Sequence, residues 1–342
     1  MYICKDCFAD EELRSKVASS AEIEGICGAC ETAGKLMDFA ELHDFFDALL
    51  LLFTPSESSN RTIVDIIQDE WRLFRNKDVA KTLLSDVMNT HKYDFSINTV
   101  VDYTDEIKER IAVWDNLKNS VKEKSRFFTN MDDFSKYDYL TPGKSLRTGE
   151  KLYRSRITPV DQKKIKCDKM GCPPKEFATA GRANPIGIPY LYLSDTAKTT
   201  YFEVRAVYLD RLSVGTFRIE KDLKLIDFVY DINLYLSYTY NEDSDSLKEP
   251  IIKKKVIDAI SEDLSKPLRR YDSELEYVPT QLVCEYCKLR GADGITFKSS
   301  LYKGGRNYVL FDGSVAKCTR VDIHEISSID IDRNKNTQKE IL

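Results

Sequence analysis

From Asp38 to about Phe128, apolar residues recur every three or four positions, the spacing that places them on one face of a helix. Phe39, Leu42, Phe45, Phe46, Leu49 and Leu50 form one such stripe, and Asp38-Phe39-Ala40-Glu41 at its start has the spacing of a capping box. Ile63, Ile66, Ile67, Trp71 and Phe74 form a second stripe. Val79, Leu83, Leu84 and Val87 form a third, and Ile107, Ile111, Trp114 and Leu117 a fourth. Helices patterned in this way bury their apolar faces against one another, so a small helical bundle is predicted over residues 36–128.

The period then changes. Residues 129–150 carry Asp, Asn, Pro and Gly without a helical repeat and read as a linker. Beyond them, short apolar runs suit strands at 152–157, 190–193, 214–219, 223–228, 295–298, 308–311 and 319–323. Helices are predicted at about 196–208, capped by Ser194 or Asp195, at 251–264, and at 279–289, where Gly291 ends the last one. Strands with a few helices at irregular intervals, and no regular βαβ alternation, indicate an α+β fold over 151–327. Asn241–Ser246 reads as a polar loop and residues 328–342 as a loose charged tail.

A chain of 342 residues is long enough for two parts, each with its own core. Its net charge of -5 predicts no long-range attraction to nucleic acid. The apolar run Ala48–Phe53 is too short to span a bilayer, and MYICKDCF lacks the basic and apolar parts of a signal peptide, so a cytoplasmic location is predicted. In that compartment the nine cysteines read as thiols or metal ligands. Cys4-Lys5-Asp6-Cys7 and Cys27-Gly28-Ala29-Cys30 repeat the C-x2-C pair at the spacing of zinc ribbons. Four thiolates close a tetrahedral site and leave no position for water, so residues 1–35 are predicted to hold a structural Zn2+ at Cys4, Cys7, Cys27 and Cys30. Cys284 and Cys287, on a predicted helix, suit apolar packing.

The candidate chemistry lies in Ala180–Arg205, AGRANPIGIPYLYLSDTAKTTYFEVR, with Gly291–Phe311 expected to fold beside it. The stretch sets Arg182 in a loop, Tyr192 in a short apolar strand, and Glu203 on the helix that follows. A carboxylate among Tyr201, Phe202 and Val204 needs a partner or bears a desolvation cost. Taken singly, Arg182 and Glu203 also read as a structural ion pair, and Ser299 as a turn residue. Lys303-Gly304-Gly305-Arg306 reads as a tight turn, since the full P-loop pattern is absent.

Arg182 in GRANP, Glu203 in YFEVR and Ser299 in GITFKSS, with GIPYLYLS and NYVLF around them, resemble the RES domain. The resemblance runs from about Lys151 to Phe311, and its motifs occur in the family's order. It implies an ADP-ribosyltransferase-like fold that breaks down NAD+, in many cases as a toxin neutralised by an antitoxin, with phosphate or water accepting the ADP-ribosyl group. Carried onto this sequence, it assigns Arg182, Tyr192, Glu203 and Ser299 to catalysis. Tyr153, Arg154, Arg156, Arg182, Tyr192 and Asn307 are assigned to NAD+ binding. Arg154 and Arg156 compete for the first basic position, and Tyr190 rivals Tyr192 on the same strand face.

The chemistry suits these residue types. Nicotinamide leaves NAD+ as a neutral molecule, so one carboxylate suffices where ordinary glycosidases need two. Glu203 would stabilise positive charge on the ribosyl carbon or hold the ribose hydroxyls. Arg182 and Arg154 would fork onto the pyrophosphate. Tyr192 would stack on a ring or bond to the ribose, and Ser299 would position nicotinamide or the nucleophile. Two other readings stay open: ADP-ribosyl transfer to a macromolecule, and a non-catalytic interaction protein built on the zinc knuckles. The sequence leaves the acceptor, an antitoxin or regulatory partner, and homo-oligomerisation undecided.

Overall fold

The computed structural model describes residues 1–127, 129–132, 134, 139–240, 247–266 and 274–328. The predicted loop Asn241–Ser246 and residues 329–342 of the predicted tail lie outside the described residues. Contacts divide the chain into one unit made of Met1–Asp115 and Tyr230–Val256, and another made of Asn116–Val229 and the chain from Ile257 onward. These units differ from the consecutive segments read along the sequence. Tyr230–Val256 falls inside the predicted catalytic half yet belongs to the first unit, while the predicted linker belongs to the second. Periodicity marks elements, whereas membership of a unit depends on contacts between elements distant in sequence.

In the first unit, β1 (Tyr2–Ile3), β2 (Ile23–Ile26) and β3 (Ala33–Asp38) form an antiparallel sheet in the order β1-β3-β2. Helix α1 (Glu11–Ser20) follows Asp10, whose carboxylate accepts from the N–H groups of Glu12 and Leu13. The predicted bundle stripes are helical: α2 (His43–Leu50), a segment of about two turns over Ile63–Trp71, α3 (Lys77–Thr90), Asp105–Ile111, and Val113–Glu123, whose residues from Asn116 belong to the second unit. The cysteine-bearing segment and the bundle share one aromatic core, in which Phe46 lies 6.4 Å from Phe8 and 5.3 Å from Phe74 between ring centroids. Within this all-helical prediction the structure adds a short ladder, β4 (Phe53–Pro55) against β5 (Val101–Tyr103). Three residues per strand are too few to display a period of two, so the pattern did not reveal it.

The second unit is built on an eight-stranded sheet, β6 (Lys144–Leu146), β7 (Lys151–Ile157), β8 (Leu191–Ser194), β9 (Arg211–Ile219), β10 (Leu223–Asp227), β11 (Gly294–Lys298), β12 (Arg306–Leu310) and β13 (Ala316–Glu325). The order across it is β13-β9-β7-β8-β12-β11-β10-β6, and only β10 and β11 run parallel. Each of the seven predicted strands is present. The eighth, β6, lies in the stretch read as linker, where Leu223–Leu225 of β10 pairs with it. Alternation along the strands sorts the side chains. Leu152, Leu191, Leu193, Phe217, Tyr308 and Leu310 join one buried cluster. By the same period Tyr153, Tyr192, Ser194 and Asn307 fall on the opposite face, the side of α4 (Ala197–Glu203), where Ser155 bonds to Thr200. Helix α4 is capped by Thr196, whose hydroxyl accepts from Thr199 N–H, rather than by Ser194 or Asp195. Two further helices match predicted segments: α5 (Lys248–Ser265), whose residues up to Val256 belong to the first unit, and α6 (Val278–Leu289).

Candidate active site

Strands β7 and β8 share a single pair, Tyr153 opposite Ser194, and a cavity of about 320 Å³ is lined by residues of both strands on either side of that pair. Tyr153, Arg154, Arg182, Tyr192, Ser194, Glu203 and Asn307 are among its walls. Its volume is in the range of small-molecule sites, about 300–1,000 Å³.

Glu203 ends α4 and stands exposed on the cavity wall. Its Oε1 accepts from Ser299 Oγ at 2.6 Å and from Asn307 Nδ2 at 2.7 Å. Ser299 in turn accepts from the N–H groups of Leu301 and Tyr302, so its proton is directed at the carboxylate. The turn that follows contains Gly304 at φ +85°, a left-handed conformation that glycine adopts without strain. Gly305 sits against Thr199 of α4, where a Cβ would come within 2.8 Å of the side chain.

The loop bearing Arg182 is shaped by its own polar groups. Gly181 N–H donates to Asn184 O, and Asn184 Nδ2 donates to Thr179 O and Pro185 O. Tyr192 closes the arrangement: its hydroxyl donates to Asn184 Oδ1 at 2.7 Å and accepts from Ala183 N–H. Burial pushes the Tyr192 phenol well up from its usual range, keeping it a donor. Helix α6 fastens the loop from the other side, with Thr280 Oγ1 donating to Arg182 O and Gln281 Nε2 to Gly181 O and Asn184 O.

Arg182 does not pair with Glu203. Its Nη1 donates to the Asp263 carbonyl at 2.7 Å and its guanidinium lies 5.7 Å from the centroid of the Tyr277 ring. Its Nη2 is buried with no hydrogen-bond partner among the described residues. An unmatched buried donor is costly. Burial lowers the guanidinium's pKa from its usual value without any carboxylate bonded to it. Arg154 and Arg156 both donate to Gly171 O at 3.0 Å, and of the two only Arg154 is among the cavity walls. Burial and then the charge of Arg156 hold Arg154 at about 10, so it stays cationic at neutral pH.

With this geometry in place, comparison with known families is decisive: the RES domain matches residues 156–333. The chain belongs to the RES domain family. The match begins at Arg156, so Tyr153 and Arg154 lie just ahead of it. Among solved structures the chain is similar to the M. tuberculosis MbcT-MbcA toxin-antitoxin complex, with 14% identity over 56% of this chain and 91% of that one and a TM-score of 0.29. No curated protein matches it.

The sequence-derived residues separate into distinct positions in the structure. Arg154, Arg182, Tyr192, Glu203, Tyr153 and Asn307 line the cavity. Ser299 is 9% exposed, is not among the walls, and donates to Glu203. Tyr190 precedes β8 and packs on Phe311 at 4.9 Å, away from the cavity walls, which leaves Tyr192 as the strand's tyrosine in the site. In the sequence, Ser194 reads only as a helix-cap candidate and Asn184, Thr280 and Gln281 have no assigned role, because their partners lie 8 to 113 residues away and are brought close only by the sheet and α6.

In the first unit, the sulfurs of Cys4, Cys7, Cys27 and Cys30 lie within 4.8 Å of one another. Cys4 approaches Cys30 at 3.5 Å and Cys7 approaches Cys27 at 3.3 Å. Four Zn–S bonds of about 2.3 Å in a tetrahedron place sulfurs about 3.8 Å apart, so the cluster fits a zinc-stapled N-terminal region. The Cys4 N–H points at Cys27 Sγ at 3.4 Å, the kind of outer contact that orients a thiolate ligand. Burial, reinforced by the neighbouring thiols, pushes Cys4 up to about 11 and Cys7 further still. Cys284 and Cys287 are fully buried on α6. Among the described residues no helix is long and apolar enough to cross a membrane.

Proposed function

We propose that this RES protein consumes NAD+, breaking the bond between nicotinamide and ribose and passing ADP-ribose to phosphate or water, in the manner of a bacterial toxin or defence effector. The observation that carries this reading is the pairing, across one cavity, of a carboxylate fixed by two donors with an arginine whose buried Nη2 lacks a partner. Glu203 offers negative charge to the ribosyl carbon as nicotinamide departs, and no general acid is needed because the leaving group departs neutral. Arg182 offers its guanidinium charge to a phosphoryl group, with Arg154 adding a second cation on the cavity wall. Tyr192 spends its hydroxyl on the loop, so its contribution to substrate is the ring face rather than a hydrogen bond to ribose. Ser299 acts through Glu203, which it holds, instead of touching nicotinamide or the acceptor. The four cysteines hold a structural Zn2+ that takes no part in the chemistry.

The deciding experiment incubates the full-length protein with NAD+, with and without inorganic phosphate, and follows nicotinamide and the ADP-ribosyl product by mass. Phosphate-dependent release identifies a phosphorylase, and release of free ADP-ribose in buffer alone a glycohydrolase. Label transferred from NAD+ to a macromolecule would replace both with a transferase. Undiminished NAD+ turnover by Glu203→Ala and Arg182→Ala would overturn the assignment of the site.

A further inference from the structure

Ser194 is absent from every role assigned above, yet it sits at the centre of the site's wiring. It is the residue at which three strands meet in register, opposite Tyr153 of β7 and opposite Asn307 of β12. Directly opposed residues on one face of a sheet are close enough for their side chains to bond. Ser194 Oγ donates to Asn307 Oδ1 at 2.8 Å, and Asn307 Nδ2 donates to Glu203 Oε1 at 2.7 Å. Both residues are buried, Ser194 at 3% exposure and Asn307 at 9%.

The chemistry of the groups dictates the direction of this chain. A carboxylate only accepts, so the amide must present its NH2 end to Glu203. The carbonyl end of Asn307 is then turned to Ser194, whose hydroxyl is the donor that satisfies it. Without that hydroxyl, a buried amide oxygen is left unmatched, and the amide gains by rotating or admitting water. Either change loosens its hold on Glu203. Meanwhile Ser299 occupies the same carboxylate oxygen, so Oε1 is engaged twice while Oε2 accepts no hydrogen bond among the described residues.

We infer that Ser194 and Asn307 form a positioning relay that locks Glu203 through Oε1 and thereby presents Oε2 as the one oxygen that meets the substrate. Asn307 is then a positioning residue and not a direct ligand of NAD+. The inference rests on the proposed reaction for its catalytic consequence, but the relay itself exists independently of any substrate.

The test therefore has an arm that needs no turnover. In full-length 15N-labelled protein, the Asn307 side-chain amide pair is assigned by its disappearance in Asn307→Asp. It is expected to shift in Glu203→Gln and in Ser194→Ala, and to return near its native position in Ser194→Thr, which keeps the hydroxyl. In the turnover arm, Ser194→Ala is expected to lower kcat about three- to tenfold with KM little changed, and Ser194→Thr to restore it. Asn307→Ala, which removes a bond to a charged group, is expected to lower kcat about ten- to a hundredfold. An Asn307 amide signal indifferent to Ser194→Ala, or a folded Ser194→Ala protein with native kcat, would overturn the relay. If the native protein leaves NAD+ intact, the proposed reaction falls, and the amide signals still decide the relay.

Discussion

At the scale of single residues, the site combines one fixed carboxylate with one underused guanidinium. Glu203→Ala removes the only carboxylate among the cavity walls and is expected to lower NAD+ turnover by about a hundredfold or more, measured as nicotinamide release. Arg182→Lys is expected to be nearly as damaging as Arg182→Ala. An ammonium is a single point, whereas the guanidinium holds the Asp263 carbonyl with Nη1 while aiming Nη2 elsewhere. A KM raised far more than kcat is lowered in Arg182→Lys would mark the loss as one of ground-state binding.

Among elements, the loop from Gly181 to Asn184 is held so closely that glycine is required at its start. A Cβ on Gly181 would lie 2.5 Å from Asn184 Oδ1 and 2.8 Å from the Tyr192 hydroxyl, the two atoms whose bond closes the loop. Gly181→Ala is accordingly expected to lose NAD+ binding in a titration while keeping a native circular dichroism spectrum. In the first unit, Thr62 and Asp65 form a reciprocal capping box at the start of the Ile63–Trp71 segment. Thr62→Ala is expected to cost about 1 kcal/mol of stability in a denaturant titration. Asp65 is held at about 2, first by its bond from Lys77 and then by those from Thr62. Its folded pKa lies below the unfolded value, so its stabilising contribution is complete above about pH 4. That contribution is lost as the pH falls toward 2, and the native protein should lose more stability over this interval than Asp65→Asn.

On the scale of the whole molecule, the four-cysteine cluster and the candidate active-site cavity belong to different units. Cys4, Cys7, Cys27 and Cys30 lie in the first, and every wall of the cavity lies in the second. Cys27→Ser is expected to lower bound zinc, measured by elemental analysis of the purified protein, and to lower the melting temperature, because the free energy of structural zinc binding is also folding free energy. Zinc content unchanged in that variant would remove the cluster as the metal site.

The sequence by itself determined the helical stripes of the first unit and seven of the eight strands of the large sheet. The switch from a helical to a two-residue period separated the helical stripes from the sheet strands, because that period is imposed locally by backbone geometry. Arg182, Tyr192 and Glu203 were legible for a similar reason: they follow one another through a single loop, strand and helix. Tertiary structure alone decided how those residues are held. Ser194 reaches Asn307 across 113 positions of sequence and Arg182 reaches the Asp263 carbonyl across 81, and such contacts leave no pattern in neighbouring residues. The same holds for the division into units, in which Tyr230–Val256 leaves the strands on either side of it to join the N-terminal unit. A periodic pattern states which face of an element seeks burial, and only the packed chain settles which partner buries it.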